Sequence, residues 1–415
     1  MLAEYSLGMV LAGRCGLSCV AFALARWLGQ AFDAVRERVR DWYCGAADKS
    51  GSGRGRRRRE LDVASCSAPL LAWVLRDWVG DRLAVALDAT TLGGRFVVLA
   101  VGVVYRACAV PVAWVVLPAT AKGAWEPHWL GLLARFKQVV PPHLVVIVLA
   151  DRGLYAKWLF QAIVGLGWHP FLRVNTTNAE FKPDAPDAPD APDAPDAGAR
   201  GPAGYVPLAS LLPGVGSSYA ARGTLFRSDR AKLPCTLLAR RDEGYEEGWF
   251  VVTDLPEGQA TPAWYGLRGW IERGFRHAKS GGWDWQDTRM TDPARAERQW
   301  LAMAVATVFL IRQDAAPEPA TPATPATPAT PATPATPTQG AAPPSAPTSS
   351  PAPSAPSPQP RRNSRRVLSA FRKGLLIVQA ALLANLPLPR GRFAPEPWPD
   401  HAPISQCRSP STHPP

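Results

Sequence analysis

The sequence has no cysteine pair at zinc-ligand spacing. Its seven cysteines, at positions 15, 19, 44, 66, 108, 235 and 407, form an odd and scattered set. That pattern excludes a disulfide scaffold and a zinc-finger module. Cys15 and Cys19 stand as C-x3-C in an apolar stretch with no histidine nearby, which reads as core. Such a set fits a reducing cytoplasm. Also missing is an uncharged run of about 18 residues, the length a membrane span needs, since even Gly374 to Leu386 is too short. No membrane partner is therefore expected. The apolar N-terminal stretch carries Glu4 where a secretory leader wants positive charge, and Arg14 interrupts it, which argues against secretion. Acidic charge is scarce: 34 acidic against 46 basic side chains give a net charge of +12, which favours a polyanionic partner such as DNA or RNA.

What is present is enough apolar material for a real core, 47% of 415 residues despite 44 prolines, in a chain long enough for two or three units plus linkers. From Leu17 to Tyr43 apolar residues recur at helical spacing, with Arg26, Arg36, Arg38 and Arg40 on the polar positions. Leu61 to Trp78 repeats the pattern. Between them, residues 49–59 change abruptly to glycine, serine and arginine, a basic joint suited either to tracking a phosphate backbone or simply to solvation. Residues 1–80 thus read as an N-terminal helical region with a basic face.

At Leu83 the period changes. Leu83 to Asp88 reads as a strand ending in an acid, Arg95 to Tyr105 and Val110 to Leu117 as two more on short turns, which makes an antiparallel meander. Trp125 to Val139 fits a helix. His143 to Asp151 is a nearly continuous apolar run, as expected of a parallel strand buried on both faces, and it too ends in an acid. A helix over Ala156 to Gly165 and a strand over Pro170 to Val174 complete the first part of an α/β core, residues 81–174. Residues 175–248 read as an insertion with an Ala-Pro-Asp tract and a few strands. Residues 249–312 return to the core with a strand from Trp249 and an apolar helix over Trp300 to Ile311. Then follow a disordered Ala/Thr/Pro/Ser-rich linker over 313–362, a helix within 363–387 and a flexible tail over 388–415.

The most informative stretch opens after Pro262. On a helix turning about 100° per residue, Arg268, Glu272 and Lys279 fall near 300°, 340° and 320° from Tyr265, so all four share one face. Arg276, near 20°, could join them, whereas His277, near 120°, points away and reads as structural. An acid flanked by a phenol, a guanidinium and an ammonium suits a phosphodiester site, the acid for a metal and the cations for phosphate oxygens. Taken alone, the stripe fits a salt-bridged helix face equally well. The strand-end positions of Asp88 and Asp151 shift that balance. In a core of this order both reach the edge where open α/β sheets place their sites, and Glu272 can pack across it. Singly, Asp88 also suits a turn cap and Asp151 an N-cap. Three converging carboxylates require compensation, and oxygen-only ligands suit two Mg²⁺ ions, with Mn²⁺ as a substitute.

The spacing Tyr265-x2-Arg268-x3-Glu272-x6-Lys279 resembles in full the Y-R-E-K signature of a large group of bacterial insertion-sequence transposases with Asp-Asp-Glu sites, the IS-four-like group. Leu87-Asp88-Ala-Thr and Ala150-Asp151-Arg152-Gly153 look like its two aspartate motifs. The resemblance covers roughly Leu83 to Ile311. It implies a ribonuclease-H-like mixed five-stranded sheet flanked by helices, with a β-rich insertion between the second Asp and the Glu. It implies Mg²⁺-dependent cleavage and strand joining at transposon ends, with Asp88, Asp151 and Glu272 as catalytic metal ligands. Tyr265, Arg268 and Lys279 would contact DNA phosphates, and a homodimer would act on two transposon ends and on target DNA. In some relatives a tryptophan of the insertion stacks on a flipped base. Trp249 is the nearest candidate, although a strand-start tryptophan fits the core better. The low-complexity tracts depart from the family pattern. Competing readings are a metal-dependent nuclease that cuts without joining and a non-catalytic DNA-binding derivative of a transposase.

Overall fold

The structure is a computed structural model that describes residues 1–49, 60–121, 125–184, 204–245, 247–314, 368–389 and 391–399. Nearly all of the basic joint, most of the Ala-Pro-Asp tract and the linker beyond residue 314 lie outside them. The described residues belong to one compact unit, Met1–Ala316 with Leu368–Pro415.

The meander forms from β1 (Arg82–Leu92), β2 (Phe96–Tyr105) and β3 (Cys108–Pro118), each antiparallel to the next. All ten residues of β2 are buried, so it has cover on both faces. The chain then makes α5 (Glu126–Ala134), β4 (Val145–Ala150), α6 (Lys157–Gly165) and β5 (His169–Arg173). β4 is parallel to both β1 and β5. Its uninterrupted Val/Ile/Leu run leaves no polar face, which only a sheet interior accommodates.

Two sequence expectations need correction here. Asp88 does not end its strand. The parallel pairing with β4 stops at Leu87, opposite Ala150, but pairing with β2 continues to Leu92 opposite Phe96, because the Gly93-Gly94 turn comes only there. The sheet is also not five-stranded. Strands β6 (Glu180–Pro183), β7 (Val206–Pro207), β8 (Ser218–Leu225) and β9 (Leu233–Arg240) of the insertion, with β10 (Trp249–Thr253), extend it to ten in the order β3-β2-β1-β4-β5-β10-β9-β8-β6-β7. β10 pairs antiparallel with the open edge of β5, and the inserted strands build outward from it, satisfying an edge that would otherwise stay exposed.

The helices of the first 80 residues are α1 (Leu2–Ala12), α2 (Leu17–Leu28), α3 (Phe32–Tyr43) and α4 (Ser67–Arg76). The expected run from Leu17 to Tyr43 is two helices, broken at Gly29, which adopts a left-handed φ of 64°. α1 packs on α8 (Pro293–Asp314), where the Ser6 hydroxyl donates to the Ala302 carbonyl at 3.1 Å. α8 begins well before Trp300 because Asp292 accepts from the Arg295 N–H at 2.7 Å and Pro293 occupies the first turn. α9 (Ala370–Leu383) crosses α8 at Gly374. A Cβ on Gly374 would meet the Leu310 carbonyl, so only glycine permits this approach. Residues 391–399, expected in the flexible tail, lie against the core instead: Phe393 is fully buried beside Trp78 and Tyr105, and Trp398 packs on Trp264 under the Arg82 guanidinium. Two aromatic side chains bury enough apolar surface to hold so short a segment. No single described helix is long and apolar enough to cross a membrane.

Candidate active site

The expected single helix from Tyr265 to Lys279 is two segments. Pro262–Gly269 is a 3-10 helix, whose N-terminal Thr261 accepts from the Ala263 N–H, and α7 (Trp270–Lys279) follows without a gap. Gly266 and Gly269 weaken the α-helical preference of the first part. The shared face survives because a 3-10 helix eclipses positions i and i+3, aligning Tyr265 with Arg268, while Arg268 and Glu272 are i and i+4. α7 then crosses β1, β2 and β3. Gly274 makes that possible: a Cβ there would sit 2.7 Å from the Ala109 carbonyl oxygen of β3.

The three acids meet on one guanidinium. Arg268 donates from Nη2 to Asp88 Oδ2 at 2.8 Å and from Nη1 to Glu272 Oε1 at 2.7 Å, and Nη2 also lies 3.6 Å from Asp151 Oδ2. The Tyr265 hydroxyl donates to Asp151 Oδ1 at 3.2 Å. Each aspartate also accepts from the next backbone N–H, Ala89 for Asp88 and Arg152 for Asp151; the N-cap role suggested for Asp151 thus coexists with the convergence, whereas Asp88, inside β1, caps no turn. Among the described residues, Arg268 Nε is buried without an acceptor, so the cluster is not saturated.

Burial pushes the Asp88 carboxyl up to about 6; Arg268 and the Ala89 N–H oppose the rise, and Glu272 and Asp151 add to it. Burial acts on Asp151 in the same sense, but Arg268, the Arg152 N–H, Arg173 and Tyr265 outweigh it and hold that carboxyl below its usual range. The neighbouring aspartates are thus driven apart, a hallmark of sites that handle charge. Burial and the charge of Asp151 raise the Tyr265 phenol well above its ordinary value, so it stays protonated and can donate. Lys279 is half-buried and its ammonium is weakened by burial, with Asp88 opposing. Arg276 is exposed.

Three carboxylates with no nitrogen or sulfur donor match a hard divalent ion in kind, and the elevated Asp88 carboxyl gains from any cation brought to it. The cation beside it here is Arg268, and among the described residues no three His, Cys, Asp or Glu side chains are gathered closely enough to hold a metal. The donor set fits the ion, and the guanidinium competes for it.

His277 is structural, as its angle on the helix indicated. Its ring stacks on Phe371 at 4.5 Å, Nε2 meets the Ser369 hydroxyl at 3.1 Å and Nδ1 faces Cys108 Sγ at 3.5 Å. Burial, then Arg276, Arg273 and Arg372, hold its pKa down at about 4. Trp249 is half-buried and stands edge-on to Tyr265 at 5.2 Å and to Tyr245 at 5.5 Å. Sequence reasoning missed Arg173. It closes β5 directly beside Asp151, with Nη1 3.9 Å from Asp151 Oδ1. The available signal was its place at the end of the strand next to the one that delivers Asp151.

Residues 80–309, more than half of the chain, match the family described as Transposase DDE domain. The matched stretch contains Asp88, Asp151 and the whole segment from Tyr265 to Lys279. No curated protein matches the chain.

Proposed function

Because the chain belongs to the transposase DDE domain family, we propose that it cleaves and rejoins phosphodiester bonds at the ends of an insertion-sequence element of the Y-R-E-K, IS-four-like group. The single observation that carries the reading is the meeting of Asp88, Asp151 and Glu272, from three separate elements, on one guanidinium. The adjacency β3-β2-β1-β4-β5 supports a ribonuclease-H-like centre to which the inserted strands have been added. Asp88, Asp151 and Glu272 would hold two Mg²⁺ ions, or Mn²⁺ in their place. Bound there, the ions supply Lewis acidity at phosphorus and a water or 3′-hydroxyl of lowered pKa.

The protein's own groups do the rest. Arg268 offers a planar fork of donors to phosphate oxygens, and Lys279, on the Asp88 side, adds a point charge. Arg276 reaches the backbone further out. The Tyr265 hydroxyl fixes the orientation of Asp151 and reaches toward a phosphate beside it. Partial burial of Asp88 and Arg268, with side chains 17% and 13% exposed, strengthens each of these interactions relative to water. Residues 1–80 would bind terminal repeats, with the basic joint adding affinity independent of sequence. Two copies would act together on two DNA ends.

The test is cleavage of a duplex carrying the element's own flanking ends, with Mg²⁺, by the natural protein and by Asp88→Asn and Glu272→Gln. Metal-dependent cutting lost in both variants with DNA binding retained is the expected result, and joined products complete it. Nicked products that are never joined would select a nuclease. Binding without cutting under both Mg²⁺ and Mn²⁺ would select a non-catalytic derivative.

A further inference from the structure

Beside Asp151, two guanidinium groups converge on a single carboxylate oxygen. Arg152 Nη1 lies 3.0 Å and Arg173 Nη2 lies 3.5 Å from the same atom, Glu247 Oε2. Like-charged groups gather in this way only around an anion. The anion here is a loosely held one, since Glu247 is 64% exposed and sits on the connection that enters β10. Arg173, by contrast, is held in place at 19% exposure, fixed at the end of β5 and level with Asp151. Its acidic contacts, at 3.5 and 3.9 Å, are too long to use its donors well.

We infer that Arg152 and Arg173 form a phosphate clamp for the DNA strand being cut, and that Glu247 is the displaceable carboxylate that fills it before DNA arrives. The inference rests on the proposed function and deepens it by giving the strand a path. Lys279 interacts with Asp88, and Arg173 with Asp151, so a strand that spans the two aspartates meets a cation at each. An exposed ion pair contributes about 0–1 kcal/mol, so a diester phosphate that accepts donors from both arginines outcompetes Glu247. The two arginines are positioning residues, and they act by neutralising backbone charge.

The experiment measures binding of the full-length protein to a short random-sequence duplex by fluorescence anisotropy across a salt series. Each lost phosphate contact lowers the slope of log K against log salt by about one, so Arg152→Gln with Arg173→Gln should lower it by about two. Glu247→Gln should bind about two- to fivefold tighter, because a competing anion is gone. Combining all three changes should abolish that gain. Arg173→Lys should restore part of the slope. Since Glu247 is exposed, its substitution tests the clamp even where Arg173→Gln weakens folding. A natural protein that binds no duplex overturns both the clamp and the proposed function. Natural binding with an unchanged slope in the double variant, or no tighter binding by Glu247→Gln, overturns the clamp alone.

Discussion

Replacing Arg268 by glutamine removes the one cation that three carboxylates share. At an effective dielectric near 20, unit charges about 4 Å apart interact by about 4 kcal/mol, and breaking a buried pair costs about 3–5 kcal/mol. Here the partners range from 17% to 39% exposed, so solvent screening reduces the expected loss to about 2–3 kcal/mol at pH 8. The loss should depend on pH through Asp88. That carboxyl titrates at about 6 in the folded protein against 3.8 ordinarily. A raised carboxyl costs nothing below its unfolded value and its full penalty above its folded value, here about 3 kcal/mol in the natural protein. Without Arg268 the folded value climbs further, so the penalty keeps growing beyond pH 6. The variant should therefore be destabilised by about 1 kcal/mol at pH 5, where Asp88 is already protonated, and by more than twice that at pH 8. Urea unfolding at both pH values measures this directly. A loss below about 0.5 kcal/mol at pH 8, or a larger loss at pH 5 than at pH 8, would refute the shared-cation reasoning. Arg268→Lys should recover part of the loss, keeping the charge without the fork.

Glu272→Gln should reduce Mg²⁺-dependent DNA cleavage by at least about a hundredfold, the equivalent of about 3 kcal/mol of barrier, with DNA affinity within a few-fold of the natural protein in a gel-shift assay. Gly274→Ala should cost about 1–3 kcal/mol in urea and lower cleavage more than binding, since the new methyl meets the Ala109 carbonyl and pushes Glu272 away from the aspartates. His277 and Asp88 should oppose each other in acid. The histidine, held at about 4 against 6.5, contributes stability that is present above pH 6.5 and is lost as pH falls toward 4, while the Asp88 penalty is relieved as pH falls from 6 toward 3.8. Asp88→Asn should accordingly show a steeper fall of Tm between pH 6 and 4 than the natural protein, and parallel curves would contradict the assignment.

Much of the central architecture was legible because it is written in local periodicity. The Val-rich runs of β2 and β4 have no polar face to present to water, which makes them interior strands wherever the rest of the chain goes. The stripe from Tyr265 to Lys279 was legible for a similar reason, and its mixed 3-10 and α character left the alignment intact because spacings of three and four each suit their own segment. Element ends were less legible. Asp88 was read as terminal because apolar residues stop there, whereas β1 runs on through Thr90 and Thr91, side chains that a partly solvated hairpin tolerates as well as valine. The fate of residues 391–399 was hidden by their prolines, which dominate composition while two aromatics decide the packing.

By itself, the sequence determined the local spacing of the candidate site residues, and with it the mixed α/β character and the succession of elements, because backbone periodicity and side-chain type act within a few positions of each other. Only the tertiary structure decided who meets whom. Arg268 reaches Asp88 across 180 positions and Tyr265 reaches Asp151 across 114, through a strand order that no local pattern encodes. The same holds for the ten-stranded sheet and for Arg173, Arg152 and Glu247. Their encounter depends on β10 pairing with β5, a long-range closure whose entropy is recovered only when the whole sheet and its cover assemble together.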